Sequence, residues 1–130
     1  MNIFDQTEIE TSVAQLLRDG NVSKNVYHNR PRSSTTDLTD FVVCKVTGSI
    51  VDRSAFGKCS LSIHLFARNI QNMKNGKKLS VMQGRTLASV PRSLNDLIID
   101  GTPRILGDTD DGNGYHARII NYKVTIKATQ

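Results

Sequence analysis

Three histidines, two cysteines and a run of aspartates are the residues of this chain whose types could support chemistry. His28, His64 and His116 lie far apart, and none falls in an HExxH or HxE frame that would set two ligands or an acid and a base on one element. Each reads as a solvated or sheet-surface histidine. The serines include no GxSxG elbow and no SxxK with a companion motif. Cys44 and Cys59 form no CxxC and no Cys/His cluster, so a zinc site and a disulfide framework are both excluded. They read as small buried hydrophobes. Their place on neighbouring strands would permit a bridge in an oxidising setting, although nothing else in the sequence requires one.

The loop from Asp108 to Gly114 invites a calcium reading, because Asp108 and Asp110 supply oxygens at alternating positions. The EF-hand pattern then fails: Gly112 stands at the fifth position and Ile119 at the twelfth, where an Asp or Asn and a Glu are needed. A hairpin connection rich in Asp-Gly and Asn-Gly accounts for the same residues. Gly112-Asn113-Gly114 lacks a third glycine and precedes a strand, so it is no dinucleotide fingerprint. No cofactor and no metal are expected, and an enzyme is the weakest of the readings.

Charge is more informative. Against a total of +5, the stretch from Arg53 to Asn95 holds eight Lys and Arg and no Asp or Glu, so it carries +8 and the rest of the chain −3. Such polarity suits contact with phosphate or head-to-tail self-association. Lys74, Lys77, Lys78 and Arg85 surround the start of a predicted helix and are the candidate phosphate-facing surface. With no Trp, three Tyr, four Phe and no RNP or zinc-finger signature, base stacking is poorly supported, while sequence-independent phosphate contact needs only charge. An ordinary solvated face explains the cluster equally well.

The elements that must position these groups follow from periodicity. Asp5 and Glu8 mimic a capping box, Ile9, Val13, Leu16 and Leu17 make one apolar stripe, and Gly20 offers a left-handed stop, which predicts a helix over 5–18 lying on a sheet. A short strand at 25–28 precedes a polar loop from Asn29 to Thr36. Phe41–Val46 is β-branched, and Cys59, Leu61, Ile63 and Leu65 alternate with Ser60, Ser62 and His64, so strands 41–46 and 58–66 can pair antiparallel. Leu79, Met82, Leu87 and Val90 predict a second helix over 77–89, weakened by Gly84 and bounded by Pro91. Short strands follow at 97–101 and 104–107, then a long one from Tyr115 to Ala128. The order predicts one α+β domain with a mainly antiparallel β-sheet, an N-terminal amphipathic helix and a second helix packed on one face. There is no run of about 18 apolar residues and no apolar leader core, which predicts neither a membrane span nor secretion.

The N-terminal amphipathic helix, Val26-Tyr27-His28-Asn29-Arg30-Pro31, the Asp40-Phe41-Val42-Val43 strand, the Gly48-x-Ile50-x-Asp52 turn and Gly114-Tyr115-His116 before the long last strand resemble the tail terminators of long-tailed bacteriophages, with related neck proteins next. The resemblance covers about 9–127. It implies a non-enzymatic virion component, assembled in the bacterial host cytoplasm, that forms a homo-oligomeric ring, commonly a hexamer, and joins tail-tube to head-completion proteins. On that reading the loop with Asn29, Arg30, Pro31 and Arg32 and the 68–78 segment are contact sites, and Lys74, Lys77, Lys78 and Arg85 face a lumen through which DNA passes. The rival is a small cytosolic module that binds nucleic acid through a basic surface.

Overall fold

The computed structural model describes residues 6–28, 39–47, 57–94 and 97–126. Two helices, α1 (Gln6–Asp19) and α2 (Gly76–Ser89), accompany seven strands: β1 (Val26–His28), β2 (Asp40–Thr47), β3 (Gly57–Arg68), β4 (Ser93–Leu94), β5 (Leu97–Ile99), β6 (Arg104–Asp110) and β7 (Tyr115–Ile126). They form one mixed sheet in the order β1-β2-β3-β7-β5-β4, with β6 also on β7. Among the described residues β1 and β2 run parallel and every other strand pair is antiparallel. Strands β6 and β5 divide one edge of β7, β6 pairing 116–121 and β5 pairing 124–126. The sheet-dominated α+β class agrees with the periodicity.

Both helices pack on one face. There α1 meets β1 and β2 while α2 meets β3 and β7, and the core between layers holds Val13, Leu17, Leu79 and Met82 against Cys44, Leu61, Ile63, Leu65 and Ile120. Pleating fixes this division, because successive residues of a strand alternate between faces. The opposite face carries a small aromatic group at one end of the sheet. Phe41 stacks on Phe66 with centroids 4.4 Å apart and meets Tyr115 edge-on at 5.2 Å, with Tyr27 beside them.

Several local expectations are corrected. The end of α1 is a Schellman motif in which Val22 N–H reaches Leu17 C=O (3.0 Å) and Asn21 N–H reaches Arg18 C=O (3.1 Å). Asn21, not Gly20, is the left-handed residue, at φ 57°. Gly20 matters for a different reason: a Cβ there would lie 1.8 Å from Ser89 Oγ, so it permits the close approach of the two helix ends. In α2 the buried stripe is Leu79, Met82 and Thr86, and Leu87 turns outward. Thr86 satisfies its hydroxyl by donating to Met82 C=O (2.8 Å), which lets a polar residue occupy the buried i, i+3, i+7 line. Strand β6 extends through Asp110, which shortens the expected 108–114 loop. Finally, Cys44 pairs with Ile63, four residues along β3 from Cys59, so the two thiols stand roughly 13 Å apart along the strand direction and cannot be bridged.

Candidate functional site

The four predicted cations do come together around α2, but most are engaged within the chain. Asn75 caps the helix by accepting from Lys78 N–H (3.1 Å), which sets Lys74, Lys77 and Lys78 on its first turn and approach. Lys74 Nζ lies 3.2 Å from Asp108, and Lys78 Nζ lies 3.2 Å from Asp40, whose carboxylate also accepts from the Ser23 hydroxyl. Arg85 donates to Asn21 C=O at the end of α1 (2.9 Å). Lys77 is exposed and makes no ion pair or side-chain hydrogen bond among the described residues. Asn29, Arg30, Pro31 and Arg32 lie outside the described residues.

A clamp that sequence spacing did not reveal sits under this cluster. A β-bulge sets Gly107 and Asp108 against Arg118 alone, since Leu106 pairs with Ile119 and Thr109 with Ala117. The bulge re-aims Asp108 so that its two oxygens take the Arg118 guanidinium at 2.6 and 2.9 Å. Arg118 also donates to Gln83 (2.9 Å) and Ser80 (3.2 Å), which ties α2 to β6 and β7. Arg118 holds the Asp108 carboxyl at about 2, with Lys74 assisting and burial opposing.

Besides Lys77, unpaired positive charge lies elsewhere. On the open face of the sheet stand Lys45, Lys58, Arg68, Arg104 and Lys123, and among the described strand residues of that face there is no carboxylate. The register lines Lys45, Ser62, Asn121 and Arg104 in one row across four strands, with the Ser62 hydroxyl hydrogen-bonded to Asn121. His64 lies beside this row, its pKa lowered by burial and then by Lys45. Asp100 stands at the margin, near Lys123 and Arg92, with its carboxylate accepting from the Thr102 N–H and hydroxyl. The signal was legible, because each of Lys45, Lys58 and Lys123 is the polar member of an alternating run.

The two ends of α2 carry exposed apolar side chains. Between β3 and α2 the chain turns through Gln71 (φ 51°) and Asn72 (φ 64°), a left-handed pair in the pattern of a type I′ hairpin, although neither is glycine. Ile70 and Met73 exchange both backbone hydrogen bonds at 2.9 Å across the turn and leave their side chains 59% and 71% exposed. At the far end of α2 lies a cavity of about 360 Å³ lined by Leu87, Val90, Pro91, Arg92, Asp100, Gly101, Pro103, Ile105 and Tyr122. The Tyr122 hydroxyl is buried without a hydrogen-bond partner among the described residues, and burial pushes its pKa to about 12.

Among the described residues no three His, Cys, Asp or Glu are grouped as metal ligands. Burial pushes both thiols up, Cys44 to about 12 with Glu10 adding to the effect, which disfavours the nucleophilic thiolate. His116 Nδ1 is hydrogen-bonded to Asn69 Oδ1 (2.6 Å). In the β6–β7 turn Asp110 and Asp111 accept from the N–H groups of Gly112, Asn113 and Tyr115 at 2.7–3.1 Å, so these carboxylates shape a hairpin. No described helix is long and apolar enough to cross a membrane.

No family model and no curated protein matches the chain. Twenty solved chains do match. One of them shares 10% identity at a TM-score of 0.58, over 95% of this chain and 94% of its own; its name describes no activity, and the likeness concerns the fold alone.

Proposed function

We propose that this protein is a structural component of a phage or prophage that terminates or joins the tail tube at the head–tail interface by forming an oligomeric ring. It works by shape and surface complementarity with copies of itself and with tail-tube and head-completion proteins, and it resides in the neck of the virion. The carrying observation is the placement of exposed apolar side chains. Of six large ones on the described surface, Ile70 and Met73 mark one end of α2, and Leu87 and Ile105 line the recess at the other. Apolar groups set at opposite ends of a subunit suit contacts that propagate from copy to copy. The sequence resemblance to tail terminators supplies the context.

Deleting the gene tests this. Tails that no longer join heads, with joining restored by added purified protein, are the expected result; normal virions from the deletion defeat the proposal.

A second reading, a nucleic-acid-binding module, is favoured by the open sheet face with its five cations and no strand carboxylate. The cations of that face suit sequence-independent phosphate contact. Its mark is an affinity for duplex DNA that falls steeply with salt, by a log–log slope of about −0.9 per phosphate contacted. Retention that is indifferent to salt removes this reading.

A further inference from the structure

We infer that the exposed hairpin around Ile70 and Met73 of one copy seats in the recess around Tyr122 of the next, a head-to-tail contact that rests on the assembly reading above. The hairpin cannot fill its own recess. It precedes the N-terminus of α2, whereas the recess surrounds the C-terminal turn of the same helix, about 20 Å away along a 14-residue rod. Only a second copy brings the two together, and the contact it makes is heterologous.

The chemistries match on both sides. The hairpin offers two aliphatic side chains and, between them, the amides of Gln71 and Asn72 with their hydrogen-bonding oxygens. The recess offers Leu87, Pro103 and Ile105 as apolar walls. Charges are also complementary. Exposed Lys77 and Asp110 lie toward the hairpin end, and exposed Asp100 and Arg92 rim the recess, so a neighbouring copy can set anion against cation on both sides. Left-handed backbone at Gln71 and Asn72 keeps the turn tight and holds Ile70 and Met73 as a projecting pair.

The experiment is a complementation of masses by analytical ultracentrifugation, using the full chain. Met73→Asp spoils the hairpin and Leu87→Glu spoils the recess; both residues are exposed, and far-ultraviolet circular dichroism verifies that each variant folds. The expected result is a wild-type mass at a multiple of 14.4 kDa, each variant alone at 14.4 kDa, and an equimolar mixture at twice that mass, because one intact hairpin then meets one intact recess. Assemblies that persist in both variants, or a mixture that stays monomeric, overturn this contact while leaving the assembly reading standing. A wild-type protein that is monomeric at every concentration, with or without tail tubes, overturns both.

Discussion

On the helix-covered face Arg118 lies 15% exposed between Asp108, Ser80 and Gln83, whereas on the open face Lys45, Lys58 and Lys123 stand in solvent with Ser and Thr across from them. Both regions are basic in composition, and they use charge differently. Under α2 a cation joins elements, so its removal is felt as lost stability. On the open face a cation is a free surface charge, so its removal is felt only by a partner. In the α2 cluster Lys74, Lys78 and Arg85 are each also tied to another element.

The most severe challenge to this contrast is Arg118→Ala. It leaves Asp108, whose side chain is 6% exposed, with Lys74 as its one remaining cation and removes the polar tie between α2 and β6 and β7. A loss of about 2–3 kcal/mol in urea unfolding, with an unchanged denaturant slope, is expected. A loss under about 0.5 kcal/mol would erase the distinction between the faces.

Acid titration sharpens it next. The Asp108 carboxyl sits at about 2 in the folded protein against an ordinary 3.8, so the unfolded chain holds that proton more tightly and stability rises with pH between the two values. The contribution, about 2 kcal/mol, is complete above about pH 4 and disappears as pH falls through about 2. Asp108→Asn should flatten unfolding midpoints over that window; an unaltered acid profile in the variant would place the pH dependence elsewhere.

The smallest expected effect is the complementary one. Lys45→Ala and Lys58→Ala should each shift stability by less than about 0.5 kcal/mol. If the nucleic-acid reading holds, each also reduces the salt slope of DNA retention by about 1. Destabilisation of more than about 1 kcal/mol by either substitution would show that the open face is not open.

Much of the fold was legible because periodicity is local. The alternation through Cys59–Leu65 and through Ile120–Val124 reports a strand covered on one face, and the stripe of Ile9, Val13 and Leu17 reports a helix that covers it. Where the reading slipped, a neighbour decided. Thr86 is buried and Leu87 exposed because β3 and β7 fix which line of α2 faces inward. Gly20 looked like a left-handed cap, yet its lack of a side chain serves Ser89 on a helix distant in sequence.

The candidate site was less legible for the same reason. Asp108 and Arg118 are ten residues apart and meet only because a bulge in β6 turns one toward the other. The recess around Tyr122 draws on α2, the β5–β6 connection and β7, and no spacing in the chain announces it.

The sequence by itself determined the identity and order of the main elements, the net positive charge and the apolar side of each long strand, since each depends on residues within a turn or two of one another. Only the tertiary structure decided which cations are neutralised and which stay free, and where apolar side chains remain uncovered at the two ends of α2. Those outcomes depend on distances across the sheet and between layers, which strand register and helix packing set and local sequence does not encode.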